Sequence, residues 1–181
     1  MEDIKEKICN TGGAHGADTI FENECIKHNI KVISWSFKEH NIKSLNRRIL
    51  SKEELDEGFE NVKKANETLK RNIYGMNIYI RNLLSRNWFQ VKYSNAIYAI
   101  SAIQNNMKIV HGGTGWACQQ AIDNNKEIYV FDQFKNNWYK YNYTNEIFEV
   151  YKDKPILLDA FAGIGTREIN ENGIKAIKEL F

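Results

Sequence analysis

Residues 156–177, ILLDAFAGIGTREINENGIKAI, read in succession as an apolar strand, a tight glycine turn and a helix. Working outward, the same design occurs twice more. TGGAHGAD (11–18) follows a short apolar start at Ile8 and leads into a helical pattern over 17–28. HGGTGWACQ (111–119) follows another apolar run and leads into a helix from about Trp116 to Asn124. Glycine permits positive φ and lets backbone N–H groups approach a partner closely. The helix that follows aims its unbonded N–H groups and positive dipole end at the same spot. In a parallel sheet all such turns lie at the C-terminal ends of the strands, where ligands bind at the switch in strand order. One glycine turn says little, because glycine also serves simply to turn. Three able to converge on one edge point to an anionic small molecule.

The rest of the chain alternates in period, as an α/β layout requires. IKVISW (30–35), AIYAIS (96–101), KIVHGG (108–113) and EIYVFD (127–132) are short and apolar, as buried parallel strands are. Ser51 followed by Glu54 makes a capping box, and Leu55, Phe59, Val62, Ala65 and Leu69 then fall at helical spacing. MNIYIRNLLSRNW (76–88) predicts a second helix, and WYKYNYTNEIFEV (138–150) alternates about a polar middle, predicting a hairpin at a sheet edge. The expectation is one domain over 1–181. It is a Rossmann-like, mostly parallel sheet with helices on both faces and a β-hairpin in the C-terminal half.

Composition excludes more than it selects. Charged residues are 27 % of the chain and sum to +2, which leaves no global footprint for nucleic acid or a membrane surface. No apolar run approaches the roughly 18 to 20 residues of a membrane span. The amino end, MEDIKEKICN, lacks the apolar centre of a signal peptide. Cys9, Cys25 and Cys118 form no C-x-x-C pair, which suggests a reducing compartment and no metal site. The expected location is the cytoplasm, with no membrane partner and no cofactor. No G-K-[ST] is present and no G-x-G-x-x-G is well matched, which sets aside kinases and ordinary NAD dehydrogenases. The Asn-, Lys- and Ile-rich composition hints at an AT-rich genome, cellular or viral.

TGGAHGAD resembles the SGGAxGAD loop of the SLOG superfamily, which joins the DNA-processing protein A family to the LOG phosphoribohydrolases. HGGTGWACQQAI resembles the PGGxGTxxE loop of the LOG branch, and AGIGTREINENGIKAI resembles the AGIGSRxxxxxG segment that opens these domains. The resemblance implies a nucleotide-like ligand. It also implies circular permutation, because the family's first strand comes last here, supplied by residues 156–163. That strand is expected in the middle of the sheet, beside the strand before Thr11, with the chain ends as neighbours.

The residues expected to hold a phosphate-bearing ligand are Gly12, Gly13, Ala14, His15, Gly16 and Asp18 in the first turn, and Gly112, Gly113, Thr114, Gly115, Trp116 and Gln119 in the second. Gly163, Gly165, Thr166 and Arg167 follow in the third, with Asp132 at a strand end and Arg86 on a helix. Arg167 is the preferred phosphate clamp, since a guanidinium fork suits phosphate. Trp116 is read either as a base-stacking ring or as a core plug. The family's acid falls on Gln119, whose amide cannot shuttle a proton. Asp18 and Glu22, one turn apart on a helix, are the candidate substitutes for catalysis. Of Arg167 and Glu168, adjacent residues, only one is expected to face the site. Three functions are weighed: a sensor or sponge for a nucleotide signal, a nucleoside monophosphate phosphoribohydrolase, and a single-strand DNA binder, which the charge balance disfavours. A homodimer through residues 51–86 is also expected.

Overall fold

The computed structural model describes residues 6–181, so the expectation that the first residues neighbour the last lies in part outside the described residues. In chain order the elements are β1 (Ile8–Thr11), α1 (Ala17–Lys27), β2 (Lys31–Ser36), β3 (Arg47–Ile49), α2 (Lys52–Leu69), α3 (Ile78–Lys92), β4 (Ala96–Ser101), α4 (Gly112–Asp123), β5 (Glu127–Asp132), β6 (Asn137–Asn142), β7 (Ile147–Tyr151), β8 (Ala160–Gly165) and α5 (Glu171–Glu179). They build one eight-stranded sheet in the order β3-β2-β1-β8-β4-β5-β6-β7. All pairs are parallel except the two made by β6, with β5 and with β7.

The last strand is central, as the sequence predicts. Cys9 pairs with Phe161 on one side of β8, and Tyr98 pairs with Gly163 on the other. Without β8 the sheet is two separate halves. The strand begins later than 156, at Ala160, because Tyr98 Oη donates to Ile156 O and accepts from Leu158 N, tying the lead-in to a side chain. Its alternation places the two layers of helix. Phe161 belongs to a core shared with Phe21 of α1 and Ala176 and Ile177 of α5. Ala162 and Ile164 belong to a second core with Ala117, Cys118 and Ala121 of α4. The helix α3 packs on β1 and β2 while α2 rests on α3 and α4, with Val62, Ala65 and Leu69 buried. The capping box at Ser51 and Glu54 is formed with both of its hydrogen bonds.

Two predicted elements are corrected. KIVHGG is no parallel strand. Residues 102–111 fold back on themselves, with an antiparallel bridge between Ile103 and Val110 and a bond from His111 N to Ala102 O at 2.9 Å. A parallel return needs a crossover of about a dozen residues or more, and this chain turns over within 104–109. The second glycine turn therefore follows a hairpin rather than a strand, and α4 starts at Gly112 instead of Trp116. Among the described residues no helix is long and apolar enough to cross a membrane.

Candidate functional site

The chain runs outward from β1 through β2 to β3, returns to β4 and runs outward again through β5. Opposite windings leave a crevice beyond the C-terminal ends of the central strands, and a cavity of about 660 Å³ lies there. All three glycine-rich segments reach it. Ala14 and Asp18 come from the first, Gly112, Gly113, Thr114 and Trp116 from the second, and Gly165, Thr166 and Arg167 from the third, with Arg86 joining from α3.

The first and third turns close on each other through Asp18. Its Oδ2 accepts from Gly12 N and its Oδ1 from Gly165 N, each at 3.1 Å. Gly16 allows this approach: its φ is +99°, and a Cβ there would stand 2.4 Å from Thr166 O. Gly12 makes room for Arg86, whose Nη1 would lie 1.6 Å from a Cβ at that position. Arg86 Nη1 stands 3.9 Å from Asp18 Oδ2 and donates to Gln90 Oε1 at 2.7 Å. Burial pushes the Asp18 carboxyl up from its ordinary range, opposed by Arg86 and by the N–H groups of Gly165, Gly12 and Ala14. Burial likewise lowers the Arg86 guanidinium, opposed by Asp18. Both are almost wholly buried, at 4 % exposure each. Arg86 Nε has no acceptor among the described residues.

The second turn is built differently. His111 begins α4 without a capping side-chain bond, and the first helical turn has no acidic residue. Among the described residues the N–H groups of Gly112, Gly113 and Thr114 find no acceptor. Gly112 needs its φ of +65°, while a Cβ on Gly113 would meet nothing within 4 Å. Arg71 fastens this segment, donating to Gly112 O at 2.7 Å and to Val110 O at 3.2 Å, with its guanidinium over the Trp116 ring. Trp116 is 4 % exposed and packs with Val62, Ala65, Leu69 and Leu84, so the core role describes it, although one edge meets the cavity.

Other named residues lie away from the cavity. Glu22 shares no site with Asp18. It accepts from Ser34 Oγ at 3.0 Å, Ser44 Oγ at 2.6 Å and Asn46 Nδ2 at 3.1 Å, anchoring the loop after β2. Gln119 donates to Asp123 Oδ1. Asp132 accepts from the N–H groups of Ile103, Phe134 and Lys135, so it starts a turn. A Cβ on Gly163 would press on the Phe21 ring, and one on Gly115 on Val110 O, so both serve packing. Gly13 leaves room for Ile42, and His15 is exposed. Arg167 and Glu168 both line the cavity, because α5 begins only at Glu171 and the rule for neighbouring helix residues does not apply.

No family model matches the chain, and no curated protein or solved structure matches it either. The site therefore rests on its own chemistry. Sequence reading missed Gln90 and Phe134, which line the cavity, and Arg71, which braces the second turn from Gly112 O and Val110 O. Gln90 stands one helical turn beyond Arg86, a spacing that was visible in the sequence. Its Oε1 is fixed by Arg86, which leaves its Nε2 without an acceptor among the described residues. His40, buried near Arg86, Arg167 and Arg47, is held down to about 4 by burial first and by those charges next.

Proposed function

We propose that this chain binds a nucleotide or nucleotide-derived small molecule, with the anionic group at the amino end of α4 beside Arg86 and Arg167. One observation carries this: an uncapped helix start and a buried arginine with an unpartnered Nε line the same cavity at the strand switch. Unbonded helix N–H groups and the positive dipole end favour an anion, and a guanidinium fork favours phosphate. Gly113 supports the reading, since neither φ nor packing requires glycine there and its missing side chain leaves space open to a guest. The volume is that of a small-molecule cleft, about 300 to 1,000 Å³. Membership of the SLOG superfamily, permuted so that β8 is its first strand, accords with β8 lying between β1 and β4. A role as sensor or sponge of a nucleotide signal follows from that likeness by analogy. Binding is preferred over phosphoribohydrolysis because Asp18 has both carboxyl oxygens engaged by backbone N–H groups and Gln119 is turned aside.

The test is calorimetric titration of the full chain with the four ribonucleoside 5′-monophosphates, beside the variant Gly113→Glu. A carboxylate at that position competes for the α4 amides, and at a helix start it is stabilising by about 0.3 to 1 kcal/mol. Wild type is expected to bind, and the variant to bind roughly a hundredfold more weakly, about 2.7 kcal/mol, with an unchanged or raised Tm. Absence of binding by wild type, with no nucleotide found by native mass spectrometry of the purified protein, overturns the reading.

A further inference from the structure

The proposed anion subsite leaves the Phe134 side of the cavity without a role. Phe134 lines it and is 76 % exposed, although burying a phenyl ring is worth about 1.5 to 3 kcal/mol. The turn beneath this ring is unusually well fastened. Asp132 Oδ1 accepts from Phe134 N and from Lys135 N, each at 3.1 Å, and Asp132 Oδ2 accepts from Ile103 N at 2.9 Å. The neighbouring Gln133 donates from Nε2 to Glu168 O at 3.0 Å and accepts Asn170 N on Oε1 at 2.8 Å. The ring is thus mounted on the same frame as the turn that carries Arg167. The same cavity is walled by Met76, Ile80 and Leu83 around the start of α3. An exposed apolar ring on a fastened turn beside an open cavity contributes little to the core. It suits a flat apolar guest, because aromatic faces stack with planar π-systems.

We infer that Phe134 is the stacking surface for the base of the bound nucleotide, an inference that rests on the nucleotide reading above. Stacking reads the π-face rather than a hydrogen-bonding edge, so the site tolerates every base. Larger purines bind more tightly than pyrimidines by overlap alone.

The experiment compares adenosine 5′-monophosphate, cytidine 5′-monophosphate and ribose 5-phosphate on wild type, Phe134→Ala and Phe134→Trp by calorimetry. Phe134 is exposed, so neither variant disturbs the core. Phe134→Ala is expected to weaken the two nucleotides about tenfold or more, the adenine compound most, and to leave ribose 5-phosphate unchanged. Phe134→Trp is expected to restore or tighten nucleotide binding. If Phe134→Ala binds nucleotides as wild type does, or weakens ribose 5-phosphate equally, the stacking role is overturned while the anion site stands. If wild type binds none of the three, both fall together.

Discussion

The first and third glycine turns and the second share a sequence design but not a use. In the former pair the N–H groups of Gly12 and Gly165 point at Asp18, a carboxylate supplied by the chain itself. In the latter, the N–H groups of Gly112, Gly113 and Thr114 have no acceptor among the described residues, and no acidic side chain stands in the first turn of α4. A glycine-rich turn at a strand end is thus a place to hold negative charge, and whether that charge is internal or external is decided by where the nearest acid falls. The internal anion also has a mechanical role. It ties residue 12 to residue 165, so the strand made last is locked to the strand made first.

Removing the Asp18 carboxylate should separate the two kinds of turn by the widest margin. Asp18→Ala deprives two buried N–H groups of their acceptor and strands the Arg86 guanidinium without its carboxylate. Breaking a buried ion pair by deleting one partner costs about 3 to 5 kcal/mol. Urea denaturation of Asp18→Ala should therefore show a loss of that size, while Gly113→Glu shows none. A loss below about 1 kcal/mol would mean that Asp18 does not hold the two turns together.

The fold was largely legible in the sequence because its signals are local and periodic. The capping box and the Leu55-to-Leu69 spacing both name α2, the alternation of 138–150 names the β6–β7 hairpin, and all three elements are present. The centrality of β8 was legible only through likeness of order, since no local pattern in AFAGIG says which strands will flank it. KIVHGG was misread because a short apolar run has the same composition in a hairpin as in a strand, and only the spacing back to β4 tells them apart. The site was legible by residue type but not by direction. Asp18 and Glu22 stand one turn apart, yet Glu22 meets Ser34 of β2 and Ser44 of the loop that follows it. Arg71 and Phe134 sit beyond the ends of α2 and β5, where periodicity carries no information.

A bound anion should also change how His40 titrates. His40 is neutral in the folded chain, held to about 4 by burial and by Arg86, Arg167 and Arg47. The unfolded chain, with an ordinary histidine near 6.5, binds more protons between those values, so stability falls as pH drops from about 6.5 towards 4. An anion against Arg86 and Arg167 offsets two of the three charges that hold His40 down. Inorganic phosphate at saturation should therefore raise the His40 pKa, with the part due to burial remaining. Proton NMR titration of the imidazole resonance, assigned through His40→Gln, reads this directly. An unmoved value in saturating phosphate would place the anion away from the arginines.

The smallest effect separates the two meanings of glycine. Gly113 lies in the first turn of α4 with an ordinary φ and open space where a side chain would stand. If glycine is there by accident, Gly113→Ala should stabilise the fold by about 0.5 to 1 kcal/mol, as replacing glycine by alanine in a helix does, and change nothing else. If glycine is there for a guest, the same methyl group stands in the path by which a phosphate reaches the amides, and binding weakens a few-fold while stability still rises. Thermal denaturation and nucleotide titration of this one variant therefore give opposite signs. Stability raised with binding unchanged would return the second glycine turn to plain structure, and leave Asp18 as the one anion for which these turns were built.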